Sequence, residues 1–282
     1  MYDNAAIVKL VTGVLAQGRA GLVTDIDGTI SPIVARPDDA HVLPRAREAL
    51  SELRDVLEVV AIVTGRSVPD AREMVGLDGL TYVGNHGLEL WHNGRAETVP
   101  EAKPWIPKIK AILDDVQRLI NDDGVIAENK GASASLHYRL TADPDKTRLK
   151  VLEILERSAT SKDIRIEEGR MVINLLPPLA ISKGSAVTWL VREHHLDRLV
   201  YFGDDLTDTH AFRAMDDLRR KGEIEALGVA VVGPETPPTV RQFADLSVRS
   251  ATAVADVLCR VAEALKSSSA TMESRARSVG SE

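Results

Sequence analysis

Cysteine is almost missing: the 282 residues hold one, Cys259. A lone thiol closes no internal disulfide, so a disulfide-stapled scaffold is excluded and stability must come from a full hydrophobic core. Aromatic side chains are scarce at 4%, which leaves Leu, Val, Ile and Ala to build that core. No apolar run approaches the roughly 18 residues of a transmembrane helix. The first residues carry Asp3 and no basic cluster, which argues against a signal peptide. Positive charge is in deficit, with 35 Lys and Arg against 42 Asp and Glu and a formal charge of −7. General nucleic-acid binders carry basic stripes, so neither nucleic acid nor a membrane is an expected partner. A few cations and a metal ion can still reverse the potential inside one cleft, which leaves an anionic small molecule open. Cys259 lies in an apolar helical run with Val254, Val257, Leu258 and Val261. That pattern predicts a buried thiol and fits a reducing cytoplasm.

What is present is a change of rhythm along the chain. Residues 21–24, 59–63 and 80–83 are short apolar strands, and 44–57 is a helix with Leu43, Ala46, Leu50, Leu53 and Leu57 at helical spacing. Continuous β-branched runs such as 59–63 indicate strands buried on both faces, and strand–helix alternation indicates a mostly parallel sheet covered by helices. The middle reads differently: a helix over 103–120, strands at 125–129 and 133–140, a helix over 144–158, and strands at 164–167 and 171–175. Helix, hairpin, helix, hairpin predicts an antiparallel sheet with two helices on one face. The first rhythm then resumes, with helices at 182–193, 207–215 and 251–265 and strands at 199–202, 228–232 and 246–248. The fold expected is α/β, with a core made of 1–100 and 179–265, an inserted α+β unit at 101–178, and a polar tail at 266–282 that lacks a core-forming period and is expected to be mobile.

Four polar clusters stand at strand or helix ends. Asp25-Ile26-Asp27-Gly28-Thr29 follows the first buried strand. Two carboxylates at a strand's carboxyl end point into the crevice where open α/β sheets bind ligands. One can attack phosphorus while the other handles protons. Thr64, before Gly65-Arg66-Ser67, puts a hydroxyl at a strand end next to a helix N-terminus, a ready phosphate clamp. Lys183 opens the helix after the inserted unit and can stabilise charge on a phosphoryl group or on the nucleophile. Asp204, Asp205 and Asp208 crowd three carboxylates into five residues, which repel one another unless a cation neutralises them. Oxygen ligands with water and a phosphate oxygen suit Mg²⁺.

Together, in this order, the four clusters resemble the haloacid dehalogenase (HAD) superfamily of phosphatases. The insertion between Thr64 and Lys183 stands where that superfamily's type 2 caps occur, so the resemblance implies a HAD-like Rossmannoid core with a type 2 cap. A finer similarity is to the trehalose-6-phosphate phosphatases. It rests on Asp25–Ile33, Thr64-Gly65-Arg66-Ser67, Gly84-Asn85-His86-Gly87-Leu88-Glu89, the cap segment Glu128-Asn129-Lys130 with Ser135 and His137-Tyr138-Arg139, and Gly203-Asp204-Asp205-Leu206-Thr207-Asp208. The resemblance implies hydrolysis of trehalose 6-phosphate to trehalose and phosphate through an aspartyl-phosphate. The alternative with the same chemistry is another sugar phosphate or a glycosyl-phosphoglycerate. It implies Asp25 as nucleophile, Asp27 as acid and base, and Thr64 and Lys183 on the phosphate. Arg66, His86, Glu128, Lys130, Arg139 and Asn174 would bind substrate. Mg²⁺ would be held by Asp25, Asp27 and Asp204, with Asp205 and Asp208 orienting its water ligands or acting as alternative ligands. Two positions depart from the family pattern: Asn174 stands where Glu is usual, and Thr209 where Glu is common.

Overall fold

The computed structural model describes residues 3–92, 94–157, 163–233 and 236–279. Among these the α/β rhythm opens with helix α1 (Asn4–Leu15), strand β1 (Ala20–Thr24), helix α2 (Pro44–Arg54), strand β2 (Val59–Val63), helix α3 (Val68–Val75) and strand β3 (Thr81–Gly84). A hairpin follows, β4 (Glu89–His92) and β5 (Arg95–Thr98). Next come α4 (Ile106–Ile120), β6 (Ile126–Asn129), β7 (Ala134–His137), α5 (Pro144–Arg157), β8 (Arg165–Gly169) and β9 (Val172–Leu176). The first rhythm returns with α6 (Lys183–Glu193), β10 (Arg198–Gly203), α7 (Asp208–Arg220), β11 (Glu225–Val231), α8 (Pro238–Phe243), β12 (Leu246–Val248) and α9 (Ala251–Val279).

The main sheet has the order β12-β11-β10-β1-β2-β3-β4-β5. Its pairs from β12 to β3 are parallel, and β4 and β5 close one edge antiparallel. Side chains alternate across it, as strand geometry requires. Leu22, Val60, Ile62, Val200 and Phe202 face α1, α2 and α9. Val23, Ala61, Val63, Leu199 and Tyr201 face α6 and α7. Burial on both faces is why these strands read as unbroken apolar runs. β1 lies centrally between β2 and β10, so the loops after these strands open side by side at the carboxyl end of the sheet.

The second sheet, β6-β7-β9-β8, is antiparallel throughout. Ala134, Leu136, Ile173 and Leu175 pack against Ile109, Ile112, Val116, Val151 and Leu155 of α4 and α5. The opposite face carries polar residues in register, with Glu128 beside Ser135, Ser135 beside Asn174, and Asn174 beside Glu167.

The sequence missed α1, α8 and the β4–β5 hairpin. It also ended the last helix at residue 265, whereas the backbone stays helical to Val279. A helix needs no apolar stripe once earlier turns are docked, so the loss of core period at residue 266 did not mark its end. Cys259 is only partly buried, not enclosed, and its sulfur donates to the Arg45 carbonyl at 3.3 Å. No helix among the described residues is long and apolar enough to cross a membrane.

Candidate active site

The site begins where β1 stops. The Asp25 amide still donates to the Phe202 carbonyl at 3.0 Å, so the first residue beyond the strand keeps ladder geometry. Its carboxylate is buried and lies 2.9 Å from Lys183 Nζ. Lys183 is the first residue of α6, whose start is fixed by a capping box: the Ser185 amide donates to Ser182 Oγ, and the Ser182 amide donates to Ser185 Oγ. Lys183 also donates to Asp208 Oδ1 at 2.7 Å.

Asp208 is fully engaged. Oδ1 accepts from Lys183 and, at 2.6 Å, from Tyr201 OH, while Oδ2 accepts from the Asp204 and Asp205 amides at 2.9 Å each. It shapes the Gly203–Asp208 loop from beneath. Asp204 Oδ1 accepts from Thr29 Oγ1 at 3.3 Å. Gly28 has φ +79°, and a Cβ there would stand 2.0 Å from Asp204 Oδ2, so only glycine lets these two loops meet. On the other side, Thr64 Oγ1 accepts from the Arg66 amide at 3.3 Å. The Arg66 guanidinium grips Asp27 with two bonds, 2.6 and 2.8 Å.

The polar face of the second sheet covers these loops. Lys130 Nζ donates to the Gly65 carbonyl at 3.0 Å and to Ser135 Oγ at 2.9 Å, and lies 3.2 Å from Glu128. Ser135 donates to Asn174 Oδ1 at 2.8 Å, and Glu128 is 3.1 Å from His137 Nε2. Arg170, at the β8–β9 turn, lies 3.0 Å from Asp204 Oδ2 and donates to Thr236 Oγ1 at 2.9 Å. One cavity between the two sheets thus has carboxylates and a lysine on its floor and the hydrogen-bonding side chains of Glu128, Lys130, Ser135 and Asn174 on its roof. Residues 23–245, which hold every group just described, match the trehalose-phosphatase family model.

The chain belongs to the trehalose-phosphatase family.

Over 263 residues it is 32% identical to the trehalose-phosphate phosphatase of Mycobacterium tuberculosis strain H37Rv, a match that covers 88% of this chain and 66% of that protein. It is 34% identical over 260 residues to an uncharacterized glycosyl hydrolase of the same strain, covering 86% of this chain and 19% of the relative. The chain therefore spans just under two thirds of one relative and about a fifth of the other. Among solved structures, the C-terminal domain of the Candida albicans trehalose-6-phosphate phosphatase superposes with a TM-score of 0.77 at 20% identity, covering 93% of this chain and 97% of that one. That likeness shows the shared fold.

The cavity of this trehalose-phosphatase family member brings together Asp25, Asp27, Thr64, Arg66, His86, Glu128, Lys130, Arg139, Asn174, Lys183, Asp204 and Asp205. Asp208 is not on the wall but directly behind it. Sequence reasoning left Arg170 unassigned. The Glu168-Gly169-Arg170 turn was legible, but not that it reaches down to Asp204. Ser135 was noted only as part of a motif, and its bridging place between Lys130 and Asn174 depends on strand register.

Electrostatics divide the cavity. Burial pushes the Asp25 carboxyl up to about 7 against the pull of Lys183. Burial, Asp208 and Asp25 hold Asp204 well above the usual carboxylate range. Burial opposes the Lys183 charge, but Asp208 and Asp25 outweigh it and raise its affinity for the proton. Burial, then the Lys130 and Lys183 charges, push His86 well below the usual histidine value, so its ring is neutral. Burial would raise Glu128, but the His137 hydrogen bond and the Lys130 charge bring it down to about 2.

The floor also fits a metal ion. Asp25, Asp204 and Asp208 each offer an oxygen within 4.8 Å of the others. Asp25 Oδ1 and Asp205 Oδ1 are buried with no hydrogen-bond partner, and the donor set is entirely oxygen. Asp208 spends its lone pairs on four protein donors, so Asp25 and Asp204 are the better-placed ligands.

Proposed function

We propose that the chain is a cytoplasmic, Mg²⁺-dependent phosphatase that converts trehalose 6-phosphate to trehalose and phosphate. The observation that carries this reading is the facing of two sets of groups across one cavity: Asp25, Asp27, Thr64, Lys183 and Asp204 below, and Glu128, Lys130, Arg139 and Asn174 above. The unit at 101–178 is then a cap that reads the sugar, and the parts at 1–100 and 179–265 form the core that does the chemistry.

Asp25 attacks phosphorus in line, forming the aspartyl-phosphate as the bond to the sugar oxygen breaks. Asp27 gives its proton to that oxygen, then takes one from the water that cleaves the intermediate and regenerates Asp25. Arg66 aims the Asp27 carboxyl into the cavity through its two hydrogen bonds. Lys183 and Thr64 hold phosphate oxygens, with Lys183 kept cationic and fixed by Asp208. Asp25, Asp204 and the Asp27 backbone carbonyl would hold Mg²⁺, with Asp205 beside them. The bound cation neutralises charge on the phosphate and the carboxylates around it. Neutral His86 and Arg139 contact the substrate from the walls, while Glu128, Lys130 and Asn174 grip sugar hydroxyls as paired acceptors and donors.

Phosphate release tests this, using trehalose 6-phosphate against glucose 6-phosphate, sucrose 6-phosphate and glucosyl-3-phosphoglycerate, with Mg²⁺ and after chelation. The expected result is the highest kcat/KM on trehalose 6-phosphate and its loss with EDTA. A higher value on any other ester would move the assignment to that substrate.

A further inference from the structure

We propose that Asn85 is a positioning residue: its side-chain amide clasps the cap turn that carries Lys130 to the core loop that carries Thr64. It thereby fixes the spacing between the groups that grip the sugar and those that hold the phosphate. The proposal deepens the reading above and rests on it.

Asn85 is fully buried and is not on the cavity wall, so it touches no substrate. Its φ of +52° lies in the left-handed region, which asparagine tolerates better than most side chains. There its amide donates to the Arg66 carbonyl at 2.6 Å, tying it to the Thr64–Arg66 loop. Its side chain then spends all its hydrogen-bonding groups on two bodies. The NH₂ donates to Glu89 Oε1 at 3.1 Å and to the Lys130 carbonyl at 3.0 Å, and the carbonyl oxygen accepts from Ser133 Oγ. Glu89 is itself anchored, because Oε2 accepts from the Val68 amide at the start of α3, at 3.0 Å.

On the cap side, the Lys130 amide donates to the Ser133 carbonyl at 2.9 Å and closes the turn. Ala132, within that turn, packs in one apolar cluster with Leu88 of the core. Lys130 Nζ makes a second crossing to the Gly65 carbonyl. The turn is therefore held at its backbone by Asn85 and at its side-chain tip by Gly65. Release at the backbone would leave Lys130 free to drift from the phosphate loop, and a misplacement of about 1 Å is enough to cost catalysis heavily.

Two variants approach the clasp from opposite sides. Asn85→Asp keeps size and backbone tolerance but turns an oxygen toward the acceptors on Glu89 and Lys130. Ser133→Ala removes the third bond without altering the core. Hydrolysis of trehalose 6-phosphate should lose roughly ten- to hundredfold in kcat/KM in the first variant and several-fold in the second, mainly through KM. Hydrolysis of p-nitrophenyl phosphate, which has no sugar to grip, should stay within about threefold, and Ser133→Thr should restore the sugar phosphate reaction. Amide hydrogen exchange over residues 130–135 should quicken about tenfold or more in both variants, while the α4 amides keep their protection. If Asn85→Asp fails to fold, Ser133→Ala carries the test alone. Equal losses on both substrates, or unchanged selectivity with unchanged exchange, would overturn the proposal. Should the wild type cleave the aryl ester but not trehalose 6-phosphate, the substrate reading fails separately, and the exchange data alone decide the clasp.

Discussion

At the scale of single residues, the decisive group in the mechanism proposed above is Asp25, a buried carboxylate kept 2.9 Å from a buried lysine. An amide cannot form the acyl phosphate, so Asp25→Asn should lower kcat by more than about 10³-fold while the cooperative fold persists. Phosphate release by a preparation free of deamidation checks this, and a rate within tenfold of wild type would remove Asp25 from the nucleophile's role. A second expectation follows from its titration. The carboxyl is raised from 3.8 to about 7 in the folded protein, so the stability linked to it is full below 3.8 and is lost as pH rises through about 7. Asp204 shifts in the same direction. A cation binds the ionised forms, so added Mg²⁺ should raise Tm more at about pH 8 than at about pH 5. Thermal unfolding with and without Mg²⁺ measures the difference, and an equal gain at both pH values would separate the carboxylates from the metal. These acidic groups were legible in the sequence because carboxylates crowded at strand ends demand a neutraliser. Arg170 and the bridging Ser135 were not, because their partners lie on other elements and are set by the fold.

Secondary-structure elements place these residues, and α6 illustrates how. Ser182 and Ser185 cap each other at its start, one residue from Lys183. Ser182→Ala should cost about 1 kcal/mol of stability. Gly184 gives a sharper test. Helix propensity alone predicts that Gly184→Ala stabilises by about 0.8–1.0 kcal/mol. A Cβ there would stand 2.5 Å from the His210 carbonyl oxygen of α7. Overpacking against backbone should reverse the sign and destabilise by about 1–3 kcal/mol. Urea unfolding of both variants checks the order, and a more stable Gly184→Ala protein would mean that α6 and α7 separate easily. The element types in the main sheet were readable because burial on both faces leaves unbroken apolar runs. The β4–β5 hairpin was missed because its residues, among them His92, Arg95 and Glu97, lie at a sheet edge and show no such run. Element ends were set by contacts that no local pattern records.

For the whole molecule, the reading proposed here separates chemistry in one layer from recognition in another. Replacing Glu128 or Lys130 by Ala should lower kcat/KM on trehalose 6-phosphate by about 5- to 150-fold, the loss of one charged hydrogen bond each, at about 1–3 kcal/mol. Hydrolysis of a small aryl phosphate should change little. Equal losses on both esters would assign the pair to cap folding rather than to the sugar. The layered plan was visible in the sequence as a change of rhythm, while the in-register row from Glu128 through Ser135 to Asn174 needed the strand pairing. One further feature reaches beyond this protein. Val99, Ile106, Leu179 and Ile181, from the two places where the chain passes between the layers, share one small apolar cluster with Leu88 and Leu176. A segment whose ends meet in this way behaves as a cassette. Joined to the host sheet at this one place, it could be lengthened, exchanged or rebuilt while that sheet keeps its register, so on the reading proposed above what is recognised could change without disturbing the groups that cleave the ester.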